Sequence, residues 1–316
     1  MSPAIRHLIA IVGPTGVGKT ELAIDLALRF NGAIVNADSR QIYRGMDIGT
    51  AKPTPAQLEK APHHLFNLVN PDEGYNLSLY LDAARSTIQS LHEQSLLPIV
   101  VGGTGQYVWG LLEGWQVPQA PPDPKIRHEL TQRAKTGGLS QLAMDLKRLD
   151  PNKADSIDLL NPRRVIRALE IAIQFPSRSN RTQRFTPEYC ITILGLSVER
   201  EELYERLDRR TQRMIASGWV AEVTALVAAG YSTDLPSMSS IGYREIALHL
   251  SEEISLNEAV DKITQRNKRL VRSQSNWFKP SDPRIQWFNP SPSGHFSAVS
   301  AVSQATTLQQ SSQTLT

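Results

Sequence analysis

Short apolar runs recur along the first hundred residues, and amphipathic stretches separate them. Leu8-Ile9-Ala10-Ile11-Val12 is continuous rather than alternating, which predicts a strand covered on both faces. Gly32-Ala33-Ile34-Val35-Asn36-Ala37-Asp38 and Leu97-Pro98-Ile99-Val100-Val101 read the same way, with Pro98 near a strand start, where a missing N–H is tolerated. Between the strands, Glu21 to Ala27 predicts a helix. So does Ser78 to Glu93, where Leu81, Ala84, Arg85 and Ile88 recur at helical spacing. Far along the chain, Cys190-Ile191-Thr192-Ile193-Leu194-Gly195-Leu196 predicts one more core strand. Buried strands alternating with helices define an α/β fold, a mostly parallel sheet with helices on both faces.

The stretch between Trp115 and about Thr186 interrupts this alternation. It opens on Pro118, Pro121, Pro122 and Pro124 and then predicts helices over 123–135, 139–149 and 163–173. Gly137-Gly138 separates the first two helices and the Asp150-Pro151 step ends the second. The expected division is therefore a first core part (1–117), an inserted small all-helical domain (118–186) and a second core part (187–280). After the returning strand, amphipathic helices are expected over 200–216, 220–228 and 256–278. Past Pro280 the composition turns to serine, glutamine and threonine, so 281–316 is expected to be a disordered tail.

Composition narrows the function. A single cysteine, Cys190, excludes an intrachain disulfide and a cysteine-built zinc cluster. No apolar stretch reaches bilayer length and the polar residues 1–7 leave no room for a signal peptide, so a cytoplasmic location is expected. The net charge of +3 does not announce a nucleic-acid binder, but its distribution is uneven. Arg163, Arg164, Arg167, Arg178, Arg181 and Arg184 share their stretch with only one acid, Glu170. Lys262, Arg266, Lys268, Arg269, Arg272 and Lys279 form a second run with no acid inside it. Such runs suit a polyanion, and they also suit ordinary solvated helix faces.

The candidate chemistry lies at the carboxyl ends of the predicted strands. Gly13-Pro14-Thr15-Gly16-Val17-Gly18-Lys19-Thr20 is the full phosphate-loop pattern in its required strand–loop–helix setting. Its glycines let backbone N–H groups face phosphate oxygens, Lys19 adds a point charge, and the Thr20 hydroxyl suits Mg²⁺. The fold is thus expected to be a P-loop NTPase-like parallel sheet. Asp38 closes the second strand and Gly102-Gly103-Thr104-Gly105 the third. Ligands of open α/β sheets sit at this edge, so Asp38, Lys19, Thr20 and Thr104 are expected around one cavity. Asp38 there could hold Mg²⁺ through water or take a proton from a nucleophile. Thr104 could donate to a leaving phosphate oxygen or merely complete a turn. Arg206, Arg210 and Arg213 share one helical stripe and could neutralise a diphosphate or pair with Glu201, Glu202 and Glu205.

Several strings together resemble the bacterial tRNA dimethylallyltransferases, also called tRNA isopentenyltransferases. They are the phosphate loop, A-D-S-R-Q-I-Y-R-G-M-D-I-G-T-A-K-P from Ala37 to Pro53, P-H-H-L at 62–65 and V-G-G-T-G at 101–105. R-R-V-I-R-A-L-E at 163–170, G-Y-R-E at 242–245 and the Trp277-Phe278 pair follow in order. The resemblance covers roughly residues 5–279, and the long string after Asp38 is its most specific part. It implies transfer of a dimethylallyl group from dimethylallyl diphosphate to N6 of the adenine just 3′ of the anticodon. The phosphate loop would then hold diphosphate rather than ATP, with Mg²⁺ on Thr20. Asp38 would be the general base, Thr104 would act on the bridging oxygen and Arg210 would grip the diphosphate. The tRNA anticodon arm would be contacted by Asp38, Ser39, Arg40, Gln41, Thr104, Arg127, Arg163, Arg164 and Arg167. The inserted helices would close on that arm, and a loop base flips out cheaply because it is unpaired.

Some positions depart from the family pattern. Asn67 and Pro162 stand where aspartates are usual, Gln106 and Trp109 replace a leucine and an arginine, and Ser273 replaces a basic residue. None is a residue assigned to the chemistry. A small-molecule kinase, a transferase acting on free adenosine phosphate and a non-catalytic RNA binder share parts of the pattern. The kinase lacks an obvious lid with paired arginines, and the helical insertion speaks against the free-nucleotide transferase. No interface pattern indicates an oligomer, so a monomer is expected.

Overall fold

The structure is a computed structural model that describes residues 6–117, 123–175 and 183–313. The chain folds as two compact units, Met1–Gly114 with Thr186–Thr316, and Trp115–Phe185. The first begins with β1 (His7–Val12), α1 (Lys19–Arg29), β2 (Gly32–Asn36), α2 (Pro55–Leu58), β3 (His63–His64), α3 (Leu77–Glu93), β4 (Leu97–Val101) and α4 (Gly105–Leu112). The second unit holds β5 (Trp115–Gln116), α5 (Pro124–Thr136), α6 (Leu139–Leu149), α7 (Pro151–Ser156), α8 (Pro162–Gln174) and β6 (Gln183–Arg184). The chain returns to the first unit through β7 (Cys190–Leu196), α9 (Arg200–Ala216), α10 (Trp219–Ala228), α11 (Tyr243–Leu250), α12 (Leu256–Ser275), β8 (Ile285–Phe288) and α13 (Pro292–Gln313).

The six strands of the main sheet run parallel in the order β3-β2-β4-β1-β7-β8. The apolar strands take the middle because both their faces are covered: Leu8 to Val12 are all fully buried. Register is set by matched apolar runs, with Ile9 opposite both Ile99 and Thr192 and Ile34 also opposite Ile99. This order places the ends of β1, β2 and β4 side by side, and with them the three loops that carry the candidate chemistry. The β2 ladder stops at Asn36, so Asp38 sits two residues into the following loop rather than on the strand.

The expectation of a disordered tail from 281 is corrected. Ile285–Phe288 adds a parallel edge strand to β7, with Ile193 opposite Ile285 and Leu196 opposite Phe288. In α13, Ala298 and Val302 are fully buried among Leu22, Leu26 and Leu203 of the core. Two small apolar residues at i and i+4 suffice to seat a helix whose remaining positions are mostly serine, glutamine and threonine. Bulk composition does not register so narrow a stripe.

In the second unit the expected helices form, around a core of Leu130, Leu142, Leu146, Val165 and Leu169. It is not wholly helical, since β5 and β6 pair antiparallel with Trp115 opposite Arg184. Pro151 ends α6 and also starts α7, where Asp150 accepts the Lys153 N–H at 2.9 Å. Proline at a first helical position loses nothing, because that N–H has no partner in the helix. The expected exit at Pro118, Pro121 and Pro122, and also Arg178 and Arg181, lie outside the described residues.

Candidate active site

The phosphate loop joins β1 to α1. Gly13, Gly16 and Gly18 all hold positive φ, at 134°, 81° and 102°. A side chain on Gly13 would also collide with the Leu196 carbonyl oxygen, so this turn against β7 requires glycine. Val17 points into the core and Thr20 sits on the first turn of α1. Lys19 folds back over the loop and its Nζ donates to the carbonyl oxygens of Gly13 at 2.9 Å and Pro14 at 2.8 Å. Burial pulls its pKa down to about 8, and neighbouring Arg210 pulls the same way, against the opposing charges of Asp38 and Glu21. The Thr15 N–H donates to Gln274 Oε1 at 2.9 Å.

Past β2, Asn36 shapes the turn that presents Asp38. Its Oδ1 accepts the Asp38 N–H at 2.9 Å and its amide donates to the Asp38 carbonyl at 3.1 Å. Asp38 Oδ1 in turn accepts the Arg40 N–H at 2.8 Å, a local turn that fixes the carboxylate and leaves Oδ2 outside that bond. Thr104 is the N-cap residue of α4, but its hydroxyl makes no capping bond. Instead Thr104 Oγ1 accepts the Ser39 N–H at 3.0 Å and donates to Ser39 Oγ at 3.2 Å. Gln41 donates to the Thr50 and Ala51 carbonyls at 3.0 and 2.9 Å, and Arg40 to the Pro236 carbonyl at 3.0 Å.

A cavity of about 1020 Å³ opens at this sheet edge. Its lining brings together Thr15 to Thr20, Asp38, Gln41 and, from α9, Arg206, Arg210 and Arg213. Gly13, Pro14, Ser39 and Arg40 flank this lining, and Thr104 directly follows the lining residues Gly102 and Gly103, with its hydroxyl bonded to Ser39. The arginine stripe divides between its two possible roles. Arg206 pairs with Glu202 at 2.6 Å, whereas Arg210 has no carboxylate within ion-pair distance among the described residues. Burial and Arg213 lower the Arg210 pKa, while Asp38 and Glu21 raise it. A partly desolvated guanidinium without its own counter-ion is a ready partner for an anion. Among the described residues no group of three His, Cys, Asp or Glu could hold a metal by itself. The oxygens of Thr20, Glu21 and Asp38 do line the cavity, and that hard donor set suits Mg²⁺ shared with phosphate and water.

Two supporting residues carry no signal in the sequence. Gln274, 7% exposed on α12, accepts from Thr15 N–H and donates to the Gly103 carbonyl at 3.1 Å. One amide therefore ties the phosphate loop to the turn after β4, using both of its hydrogen-bonding ends. The other is Glu222 on α10, which accepts from the backbone of the loop after Met46. A lone glutamine or glutamate on a helix belongs to no motif, and only the tertiary fold shows what it reaches.

Outside this cavity, Glu170 is fully buried in the second unit and accepts from Arg127 at 2.8 Å, Arg167 at 2.7 Å and the Asp123 N–H at 2.8 Å. Its pKa is lowered: these three donors outweigh burial, the largest single influence, which pushes it up. Arg163 and Arg164 are exposed on the first turn of α8. Pro162 is the first residue of that helix, capped by Asn161, which accounts for proline there. The run on α12 is partly engaged too, since Arg266 pairs with Glu245 and Lys268 lies over Tyr204. Asn67 accepts from Lys52 Nζ, and Trp109 is buried with its indole N–H on the Trp277 carbonyl at 2.9 Å. Gln106 and Ser273 are exposed.

A parallel sheet whose carboxyl edge joins a phosphate loop, a fixed aspartate and a partly buried arginine defines a P-loop protein built to handle a phosphorylated substrate. The strings that fill this frame are those of one such group. The chain belongs to the IPP transferase family, whose model matches residues 41–281, with the isopentenyl transferase model matching 6–67. It is 43% identical over 287 residues to the tRNA dimethylallyltransferase of Dehalococcoides mccartyi, covering 90% of this chain and 88% of that protein. With the tRNA dimethylallyltransferase of a Roseiflexus species it shares 46% identity over 274 residues, 86% of this chain and 90% of the relative. The crystal structure of the tRNA isopentenylpyrophosphate transferase from Bacillus halodurans superposes with a TM-score of 0.72 at 34% identity, over 98% of this chain and 99% of that one.

Proposed function

We propose that the chain transfers the dimethylallyl group of dimethylallyl diphosphate to N6 of the adenine immediately 3′ of a tRNA anticodon and releases diphosphate. The observation that carries the reading is the shared cavity of the phosphate loop, Asp38 and Arg210. In the reaction the allylic C–O bond breaks and a C–N6 bond forms. The electron pair leaves with diphosphate, and the N6 proton passes to the Asp38 carboxylate. The phosphate-loop N–H groups, Lys19 and Arg210 would hold the diphosphate and stabilise the charge it gains on leaving. Asp38, fixed through Oδ1 by Arg40 N–H, would present Oδ2 to the amine. Positioned proton transfer of this kind contributes roughly 10²–10⁴-fold. Thr104 would reach a bridging oxygen only by giving up its bond to Ser39 Oγ, so its role is first to hold the loop that carries Asp38.

Mg²⁺ would be held at Thr20, with Asp38 through water, and would supply charge neutralisation to the diphosphate when bound. The phosphate loop would hold the donor's diphosphate rather than ATP. The tRNA-contacting set would comprise Ser39, Arg40 and Gln41 with the exposed Arg163 and Arg164. Arg127 and Arg167 would support that surface from their pairing with Glu170. Among the described residues no helix is long and apolar enough to cross a membrane. A cytoplasmic location and a monomeric state are part of the same proposal.

The test is incubation with unmodified total tRNA and labelled dimethylallyl diphosphate, with labelled ATP in a parallel reaction. Label from the prenyl donor is expected in tRNA as N6-dimethylallyladenosine, and none from ATP. Phosphate transfer from ATP, or RNA binding without a covalent product, would overturn the proposal.

A further inference from the structure

We infer that Glu222 is a positioning residue for the diphosphate cavity, because its carboxylate fixes the cavity wall that faces the phosphate loop. That wall is the loop 46–53, of which Asp47, Ile48, Thr50, Ala51 and Lys52 line the cavity. Lys19 and the α9 arginines line the same cavity. The backbone N–H groups of three successive residues converge on Glu222. Asp47 and Ile48 donate to Oε2 at 2.8 and 2.6 Å, and Gly49 donates to Oε1 at 3.2 Å. The Tyr243 hydroxyl completes the set on Oε1 at 2.6 Å. Burial and the adjoining carboxylate both hold the Tyr243 phenol far above its ordinary pKa, so it remains a donor.

Successive N–H groups turned to one point form a nest that favours an anion. Here the anion comes from the protein itself, from a helix remote in sequence. Gly49 is required at the contact, because a side chain there would collide with the Trp219 and Tyr243 rings. Glu222 lies on α10, which follows α9 through the Gly218 turn. The helix pair that carries Arg210 is therefore the same pair that grips the wall at 46–53. Gln41 holds the far end of the loop through the Thr50 and Ala51 carbonyls, and Lys52 ties that end back to the Asp47 carboxylate at 2.7 Å. Glu222 serves all three N–H groups at 47–49, and a carboxylate suits them because both its oxygens accept. An amide in its place offers one acceptor oxygen and turns an NH₂ toward an N–H.

This inference rests on the placing of diphosphate in the cavity, so its test carries Lys19→Ala as an internal control. E222Q and Y243F are compared with the unaltered chain in steady-state prenylation and in tRNA binding. With E222Q the KM for dimethylallyl diphosphate should rise by about three- to tenfold, as loss of charge-assisted hydrogen bonds allows. The Kd for tRNA should stay within about twofold and kcat should change less than KM. Y243F, which keeps the carboxylate, should shift the same KM in the same direction by less. Amide exchange in residues 46–50 should accelerate in both variants. An unchanged KM for the donor in both, or an equal rise in donor KM and tRNA Kd, overturns the positioning role and leaves Glu222 a general scaffold residue. If E222Q does not fold, Y243F decides by the same criteria. A Lys19→Ala variant with a normal donor KM overturns the cavity assignment itself, and the inference with it.

Discussion

Lys19 illustrates how a single residue is tuned by its place. The phosphate loop wraps its ammonium group with two carbonyl oxygens and takes it out of water, which favours the neutral amine. Arg210 works in the same direction, and together they bring the pKa to about 8 against the attraction of Asp38 and Glu21. The sign for donor binding follows: below this pKa the cation is intact, and above it the charge proposed to meet diphosphate is lost. In the free protein kcat/KM for dimethylallyl diphosphate should be level below about pH 8. It should then fall by up to about tenfold per pH unit as the pH rises through that value. Bound diphosphate raises the pKa of the amine, so kcat at saturating donor should fall only at higher pH. A profile of kcat/KM that stays flat two units above that pKa would contradict the role given to Lys19. Asp38 depends on a more local device, since Asn36 and Arg40 fix it through bonds that span two residues. Such local turns are legible in a sequence, whereas the Thr104 to Ser39 contact is not, because it joins residues on two different strand ends.

The elements were legible wherever apolar periodicity was strong. β4 and β7 match the bounds their apolar runs imply, and α6 and α9 match their amphipathic patterns. Several elements escaped, the short α2, β3, α4, β5, α7 and β6 among them, and two cases are instructive. One is the short α11, whose residues sit between loops, with Tyr243 and Ile246 fully buried and Glu245 accepting the Gly242 N–H at 2.8 Å. The other is the pair β8 and α13, where a short edge strand and a narrow Ala298/Val302 stripe outweigh an unpromising composition. The energetics of α13 can be read directly. Val302 is fully buried, so Val302→Ala should cost about 1–3 kcal/mol in chemical denaturation. Phe296→Ala, at an exposed position of the same helix, should change stability by less than about 0.5 kcal/mol. Equal and negligible effects at both positions would mean that α13 does not pack on the core. Gln274 and Glu222 belong to the same lesson at a longer range. Their helices were predictable, but the loops they hold lie far away in sequence and meet them only in the folded unit.

At the scale of the whole molecule, the modest charge of +3 conceals a division of labour among the basic residues. Arg127 and Arg167 meet at Glu170 and Arg266 meets Glu245, so these cations are already matched within the protein. Arg163 and Arg164 sit exposed with their backbone capped by Asn161. If they bind phosphates of tRNA, replacing both with Ala should weaken binding and flatten the plot of log Kd against log salt. The slope should drop by about 0.7–0.9 for each phosphate that is no longer neutralised. An unchanged slope would move the RNA surface elsewhere. The central claim joins the two substrates at one carboxylate, and Asp38→Asn tests it most directly. The amide keeps the size and still accepts the Arg40 N–H, yet it cannot take the N6 proton. Single-turnover transfer of labelled dimethylallyl to tRNA should fall by roughly 10²–10⁴-fold while both substrate affinities stay within a few fold. Single-turnover transfer at the unaltered rate in Asp38→Asn would contradict the account.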